Sequence, residues 1–179
     1  KLAGMRVVGI AGGAHKCNLV SDLLGADICA DYHAPDFADQ LAAVCPDGVN
    51  LFFDTLGGPI ADTVFDNLAK YAKVLVVGRT VSNNSDRPDL DPVNMRQLWA
   101  REATIHAFSR YSYPERWAFA REQMKALCRQ GLIETMDHLV DGFEKTPKAL
   151  GDMLSGQCTG KVLVRYAVAD TSGAKKDIS

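Results

Sequence analysis

The sequence lacks the features that mark several specialised classes of protein. Its charges nearly balance, with 20 basic and 22 acidic side chains in 179 residues, so it has no basic excess of the kind that nucleic-acid-binding proteins usually carry. No apolar run approaches the roughly 18 residues that a membrane-spanning helix needs. The first residues, KLAGMRVVGIAGG, lack the charged start and cleavage site of a signal peptide. We therefore expect a cytoplasmic protein that binds neither nucleic acid nor membrane.

The cysteines show no paired spacing. Their number is odd and no two have CxxC spacing, which argues against a disulfide framework and against a zinc site. They are Cys17, Cys29, Cys45, Cys128 and Cys158. The four histidines are also scattered without metal-ligand spacing. We interpret the cysteines as ordinary buried thiols in a reducing compartment and expect no metal.

What the sequence does contain is a regular alternation of short apolar runs with amphipathic stretches. Strands are predicted over 6–11, 27–30, 49–55, 73–77, 104–108, 137–140 and 161–166, and helices over 14–25, 36–45, 60–71, 94–101, 114–130 and 146–154. A polar, Asn- and Pro-rich loop is predicted over 79–92. This alternation predicts an α/β protein with a mostly parallel sheet covered on both faces. Ligands of such sheets bind at the carboxyl ends of the strands.

Small and polar residues follow the first predicted strand in the segment AGGAHK. Gly12 and Gly13 let the main chain approach a ligand closely, and Lys16 lies in the first turn of the next helix, where a cation is mildly unfavourable. Two interpretations are open. Lys16 binds a ligand phosphate, or the segment is an ordinary strand-to-helix turn with a lysine on its surface. The spacing differs from the GxGxxG fingerprint for pyrophosphate.

Three further strand ends carry polar groups. In FFDTLGG, Asp54 is a candidate acid, base or hydrogen-bond anchor, or a cap of the next helix. In VVGRTVSNN, Gly78 suits close approach to a flat ring, and the polar side chains after it are either ligand contacts or turn residues. Tyr111, in FSRYSY, is a candidate proton donor to a substrate oxygen or an exposed loop residue. The sequence has neither a GxSxG nucleophile elbow nor a Walker loop.

Taken in order, these segments resemble one family. The segments GMRVVGIAGGAHKC, CPDGVNLFFDTLGG, KVLVVGRTVSNN, TIHAFSRYSY and SGQCTGKVLVRY, with LVDGFEKTPKALGDMLSG between the last two, are similar to the cofactor-binding half of the zinc-independent medium-chain dehydrogenases/reductases. The most similar branch contains prostaglandin reductases, leukotriene hydroxydehydrogenases, alkenal double-bond reductases and curcumin reductases. The resemblance runs from residue 1 to about residue 167. It implies an NADP-binding, doubly wound Rossmann-like domain over 1–167, with a flexible tail over 168–179.

The resemblance also implies a reaction and a partner. Members of this branch use NADPH to reduce carbon–carbon double bonds conjugated to a carbonyl, by hydride transfer from the nicotinamide. The protein positions the cofactor and stabilises the developing oxyanion. The family forms dimers through edge strands of the cofactor domain, and the strand predicted at 104–108 is a candidate edge. A small-molecule substrate and a homodimer are therefore expected.

The resemblance also implies roles for individual residues. Lys16 falls at the contact to the 2′-phosphate of NADPH, Gly12 and Gly13 leave room for that phosphate, and Tyr32 lies at the adenosine end. The residues expected near the nicotinamide and its ribose are Asp54, Thr55, Gly78, Ser82, Asn84, Tyr111 and Cys158. Tyr111 corresponds to a tyrosine tied to the ribose hydroxyl and the substrate oxygen. Thr55 and Cys158 each replace a family asparagine, and both changes remove a side-chain amide.

One part of the family pattern is absent. The family has a strand and a Gly-rich turn upstream of the helix whose end resembles KLAGMRVVG, and a further barrel-like domain before them. In the 3-2-1-4-5-6 strand order that strand is central. We therefore expect a sheet that is incomplete at its N-terminus, in which the strands at 6–11 and 49–53 lack their shared neighbour.

Two alternative functions remain open on the sequence alone. The chain is either part of an NADPH-dependent reductase of enones, alkenals or quinones, inactive by itself, or a non-catalytic module that binds nucleotide or self-associates. A different Rossmann-like enzyme, such as a methyltransferase, has less support because the Gly-rich first loop is missing.

Overall fold

The structure is a computed structural model that describes residues 1–78 and 94–166. The chain divides into two compact units, Lys1–Glu134 and Thr135–Ser179, and each is described by itself. The predicted loop over 79–92 and the predicted tail over 168–179 lie outside the described residues. The single domain expected over 1–167 stays a prediction.

The first unit alternates strands with helices, as predicted. Its strands are β1 (Val8–Ala11), β2 (Ile28–Asp31), β3 (Val49–Asp54), β4 (Leu68–Val76) and β5 (Thr104–Ala107). Its helices are α1 (Ala14–Asn18), which continues into a π-helical turn (Leu19–Leu23), then α2 (Phe37–Val44), α3 (Gly58–Asp66), α4 (Met95–Ala100) and α5 (Trp117–Arg129). Short 3-10 turns at Arg110–Ser112 and Pro114–Arg116 precede α5.

The strands of the first unit form two separate parallel sheets. One sheet pairs β1 with β2, with Val8 opposite Ile28 and Ala11 opposite Asp31. The other has the order β3-β4-β5, with a register shift between Val49 and Leu51. The α/β class and the parallel pairing are confirmed. In the described residues β1 and β3 are not paired with each other, which agrees with the expectation that they lack a shared neighbour.

The core of the first unit lies between the sheets and the helices that connect their strands. One cluster joins Ala30 of β2 and Val64 of α3 to the buried side of α2, with Val8, Ile10 and Phe52 packed against it. A second cluster contains Phe65, Leu68, Ala72 and Val74. The sequence pattern predicts this apolar side of α2. It packs against residues of both sheets, so the two sheets share one hydrophobic cluster.

Two local predictions are wrong. The helix expected over 60–71 ends at Asp66, and LAKY belongs to β4, because Leu68 and Ala72 pack into the second core cluster and Leu68 pairs with Val49. Asp36 does precede α2, but its carboxylate accepts a hydrogen bond from the Gln40 side chain (2.9 Å) instead of capping a main-chain N–H.

The second unit is smaller. Parallel strands β6 (Asp137–Asp141) and β7 (Lys161–Arg165) are connected by a 3-10 turn and by helix α6 (Thr146–Leu154). Arg165 forms a bidentate ion pair with Asp141 at 2.6 and 3.0 Å. The guanidinium lowers the pKa of the Asp141 carboxyl. These elements match the predicted strands and helix to within one residue.

The cysteines are not all buried, contrary to expectation. Cys17 and Cys45 are buried, Cys29 and Cys158 are half-buried, and Cys128 on α5 is exposed. All five are free thiols. Burial and the neighbouring Cys17 raise the pKa of Cys29 to about 12, so this thiol stays protonated at neutral pH.

Neither a membrane span nor a metal cluster is found in the part of the chain that the structure describes. No helix within 1–78 and 94–166 is long and apolar enough to cross a bilayer. Over the same ranges, no group of three or more His, Cys, Asp or Glu side chains is placed to hold a metal ion.

Candidate functional site

Gly12, directly after β1, lies against Tyr32 and His33, which directly follow β2. A side chain at Gly12 would lie 2.8 Å from the Tyr32 hydroxyl and 2.7 Å from Cε1 of His33. The two rings themselves pack edge to face, with centroids 4.5 Å apart. The rings of Tyr32 and His33 thus lie where a side chain at Gly12 would point, and the expectation that this glycine leaves room for the 2′-phosphate stays a prediction. The structure does bring Gly12 and Tyr32 together.

This contact makes Gly12 a sensitive position. We expect Gly12→Ala to lower the free energy of unfolding by about 1–3 kcal/mol, because the added methyl group must displace the rings of Tyr32 and His33. Urea denaturation measures the change. In a Tyr32→Ala/His33→Ala background the same substitution should cost less than about 0.5 kcal/mol. An equal cost in both backgrounds would show that the rings are not the cause.

Gly13 has a different environment. No atom lies within 4 Å of the place where its side chain would point, and its φ of +87° is a conformation that suits glycine. Its N–H donates to the Asp31 carboxylate (2.7 Å), which also accepts the N–H of His33 (2.9 Å). These two bonds, the Gly13 bond first, lower the pKa of Asp31. Asp31 thus ties the turn after β1 to the end of β2, and Gly13 leaves open space beside it.

Lys16 lies in the first turn of α1, which begins directly after Gly13. The main-chain carbonyl of Gly13 accepts the N–H of Cys17 (3.1 Å), so the first helical turn closes directly after the two glycines. Lys16 is half-buried on this turn, and Cys17 beside it is buried. The open side of Gly13 and a lysine in the same turn form the part of the site that suits a phosphate.

The turn after β3 is organised by Asp54. This residue is 3% exposed, and one of its carboxylate oxygens accepts the N–H of Leu56 (3.0 Å) and of Gly57 (2.9 Å). Gly57 and Gly58 have φ values of +70° and +61°, which lets the chain reverse before α3. Of the roles left open by the sequence, the structure supports the hydrogen-bond anchor; α3 has no side-chain cap.

Thr55 and Gly78 lie side by side at the carboxyl ends of β3 and β4. The N–H groups of Val77 and Gly78 both lie within hydrogen-bonding distance of the Asp54 carbonyl, at 2.8 and 3.3 Å. A side chain at Gly78 would lie 3.5 Å from the Thr55 carbonyl oxygen, an ordinary contact. Thr55 is exposed and Gly78 is half-exposed. The structure therefore brings together Asp54, Thr55 and Gly78 at one sheet edge.

Tyr111 lies beyond β5 in an exposed aromatic cluster. Its hydroxyl accepts a hydrogen bond from Arg110 (3.0 Å), and the guanidinium lies 4.8 Å from the ring centroid. Its ring packs edge to face on Trp117, whose Nε1 donates to the Arg110 carbonyl (2.9 Å). The guanidinium lowers the pKa of the Tyr111 phenol. A phenol with a lowered pKa is a better hydrogen-bond and proton donor, which is the role expected for this tyrosine.

The pKa of Tyr111 supplies a second prediction. In an NMR pH titration of its ring, Tyr111 should lose its proton at a lower pH in the parent chain than in the Arg110→Ala variant, because the Arg110 cation favours the phenolate. Arg110→Ala should raise the pKa of Tyr111 towards its ordinary value of about 10. If Tyr111 titrates identically with and without Arg110, the guanidinium does not lower the pKa of the Tyr111 phenol.

Two of the expected residues, Ser82 and Asn84, lie outside the described residues. Cys158 belongs to the second unit, half-buried between Gly156 and Gly160. Sequence reasoning missed Asp31, His33 and Arg110. Asp31 ends a strand, as Asp54 does, so its position at a carboxyl end was an available signal.

Comparison with known proteins identifies the family. The model for the zinc-binding dehydrogenase family matches residues 1–126. The chain belongs to this family. The medium-chain dehydrogenase/reductase resemblance seen in the sequence is thereby confirmed.

Several relatives cover almost the whole chain. It is 34% identical to the NADPH-dependent curcumin reductase of Escherichia coli in an alignment of 175 residues that covers 95% of this chain and 51% of that protein. It is 26% identical to an NADP(+)-dependent 2-alkenal reductase of Nicotiana tabacum, covering 92% of this chain and 48% of the relative. The crystal structure of CurA from Vibrio vulnificus in complex with NADPH superimposes with a TM-score of 0.85 at 35% identity, over 93% of this chain and 51% of that one. The chain thus spans about half the length of these relatives, and the Rossmann-like fold is confirmed.

Proposed function

We propose that this chain is the NADPH-binding part of a reductase that transfers hydride to a conjugated carbon–carbon double bond, in an enone or alkenal, or to a quinone. The observation that carries the proposal is the open space beside Gly13, with Lys16 in the first helical turn after it, at the carboxyl end of β1. The relatives named for NADPH-dependent curcumin reduction and 2-alkenal reduction support the same class of reaction.

The adenosine end of the cofactor fits the β1–β2 edge. A phosphate placed beside Gly13 meets no side chain from that residue and lies in the same turn as the Lys16 cation. Tyr32, held against Gly12, offers a ring edge and a hydroxyl at the same place. We assign the 2′-phosphate of NADPH to Lys16 and Gly13 and the adenosine to Tyr32, with Gly12 acting by positioning that ring.

The nicotinamide end is assigned to the β3–β4 edge. Asp54 holds the turn by its two main-chain bonds, so its part is to position Thr55, and Gly78 lies beside Thr55. Ser82, Asn84 and Cys158 are proposed as further cofactor contacts on the family resemblance alone. When bound, NADPH supplies the hydride. Tyr111, with its phenol polarised by Arg110, is proposed to donate a hydrogen bond to the substrate oxygen.

The 2′-phosphate assignment is tested without the nicotinamide. Adenosine 2′,5′-bisphosphate and 5′-AMP are titrated into the chain as competitors of a fluorescent adenine nucleotide. We expect the bisphosphate to compete at least about tenfold more strongly, since a hydrogen bond to a charged group contributes about 1.5–3 kcal/mol. Equal competition would refute the assignment of Lys16.

A second candidate function is a nucleotide-binding module without catalysis, favoured by the missing partner strand between β1 and β3. Consumption of NADPH by this chain in the presence of an alkenal would refute the module. Binding of NADPH without consumption agrees with both functions, because the reductase part is expected to be inactive by itself. The homodimer, the cytoplasmic location and the single domain over 1–167 belong to the same proposal.

A further inference from the structure

We infer that His33 supplies a second positive charge to the 2′-phosphate of a 2′-phosphorylated adenine nucleotide such as NADPH, and that this contribution to affinity grows as the pH falls. The inference rests on the proposed function, because it assigns a further residue to the same phosphate site. Strand β2 ends at Asp31, and Tyr32 and His33 follow it. The His33 side chain is exposed, so a nucleotide can reach it.

The main chain holds His33 beside the open turn at Gly13. One carboxylate oxygen of Asp31 accepts the N–H of Gly13 (2.7 Å) and the N–H of His33 (2.9 Å). The two nitrogen atoms are therefore no farther apart than the sum of these distances. No atom lies within 4 Å of the place where a Gly13 side chain would point. The imidazole thus lies near the space that the phosphate needs and does not fill it.

The polar edge of the imidazole faces the same turn. The atom closest to a side chain built at Gly12 is Cε1 of His33, at 2.7 Å. This carbon lies between the two ring nitrogens, and both nitrogens carry a proton when the ring is charged. The ring also packs edge to face on Tyr32, with centroids 4.5 Å apart. Both N–H donors of a protonated His33 are therefore held close to the turn.

The charges around the turn favour a second cation. Hydrogen bonds from Gly13 and His33 lower the pKa of the Asp31 carboxyl, so this group is ionised at neutral pH. A phosphate monoester carries a charge of about −1.5 to −2 at pH 7. Placed beside Gly13, the phosphate lies close to the Asp31 carboxylate, and the single charge of Lys16 does not balance the two anions. A protonated His33 offsets part of the remaining repulsion.

Several titratable groups act on His33 together with the phosphate. The end of β2, the first turn of α1 and the loop before α2 carry His15, Lys16, Cys17, Asp31, Tyr32 and Asp36. The attraction between His33 and the Asp31 carboxylate favours the protonated ring, whereas the Lys16 cation opposes it until an anion binds. A bound phosphate therefore stabilises the proton on this ring.

The direction of the pH dependence follows from that stabilisation. A histidine whose proton is favoured by a bound anion contributes fully to binding below the pKa that it has in the free protein. The contribution is lost as the pH rises through the higher pKa that the same group has in the complex. Because histidine ordinarily gains its proton near pH 6.5, we expect the effect at about pH 6 and its loss at about pH 8.5.

The test measures how adenosine 2′,5′-bisphosphate and 5′-AMP compete with a fluorescent adenine nucleotide for the whole chain, at about pH 6 and about pH 8.5. His33→Phe keeps a flat ring against Tyr32 and removes both nitrogens. We expect it to weaken bisphosphate binding at least about fivefold at the lower pH and less than about twofold at the higher. Binding of 5′-AMP should stay within about twofold at both. Variant and parent are compared at the same pH, so the phosphate's own titration near pH 6 cancels.

Two further variants separate charge from packing and from place. His33→Lys carries its charge at both pH values, so at about pH 8.5 it should bind the bisphosphate at least about twofold more tightly than the parent. His15→Phe is the matched control, because His15 is exposed in the same helical turn as Lys16. It should leave bisphosphate binding within about twofold of the parent at both pH values.

The outcomes distinguish this inference from the proposed function. An effect of His33→Phe that is equal at both pH values, or equal for both nucleotides, would overturn the inference, as would a pH-dependent loss in His15→Phe alone. If the parent prefers the bisphosphate through Lys16 and His33→Phe behaves like the parent, only this inference fails. If the parent shows no preference for the bisphosphate at either pH, the proposed phosphate site fails and the inference fails with it.

Discussion

Lys16→Ala is expected to weaken NADPH binding by at least about tenfold and to leave NADH binding within about twofold. A charge-assisted hydrogen bond contributes about 1.5–3 kcal/mol, and the half-buried position of Lys16 places the effect towards the lower end of that range. NADH lacks the 2′-phosphate, so the same substitution removes nothing from its complex. Fluorescence titration of the variant with both nucleotides measures the two changes.

Lys125→Ala is the matched control for this prediction. Lys125 is 51% exposed on α5 and pairs with Glu122 (2.8 Å), so its removal lowers the net charge of the chain equally without touching the β1 turn. It should leave both affinities unchanged. Equal losses of NADPH and NADH affinity in Lys16→Ala would mean that the lysine acts on the fold or on another part of the cofactor.

Asp54→Ala is expected to lower the free energy of unfolding by about 2–4 kcal/mol. The substitution leaves the N–H groups of Leu56 and Gly57 without their acceptor, at about 1–3 kcal/mol for each buried group. Gly57 is buried, so water does not replace the lost bond fully. Urea denaturation, followed by a spectroscopic signal from the first unit, measures this change in the free energy of unfolding.

Two variants separate the loss of the acceptor from the loss of charge. Asp54→Asn keeps a side-chain oxygen for both N–H groups and should cost about 1 kcal/mol or less. Asp36→Ala removes a carboxylate that, within the described part of the chain, accepts a hydrogen bond from the Gln40 side chain alone, and should stay within about 0.5 kcal/mol of the parent. If Asp54→Asn is as destabilising as Asp54→Ala, the charge of Asp54, and not its hydrogen bonds, stabilises the turn.

The alternation of strands and helices could be predicted because most elements are short apolar or amphipathic runs and several are bounded by glycine or proline. The segment LAKY could not, because its helical periodicity continues that of α3 while Leu68 and Ala72 are drawn into β4 by the core. The prediction that Asp36 caps α2 was wrong for a related reason. The Gln40 side chain, one turn further on, donates to the Asp36 carboxylate in place of a main-chain N–H.

The candidate site was predicted in part. Residues at the carboxyl ends of strands were found because a parallel sheet brings those ends to one edge. The packing of Tyr32 and His33 against Gly12 was not predicted, since only the folded chain shows these rings beside it. The hydrogen bond from Gly13 to Asp31 joins residues 18 apart, a pairing that no local pattern contains.

The central claim is that the chain's own residues select NADPH, and parallel fluorescence titrations of the chain with NADPH and NADH test it most directly. We expect NADPH to bind at least about tenfold more tightly, through Lys16 and the open turn at Gly13. Equal affinities, a preference for NADH, or no binding of either nucleotide would contradict the claim.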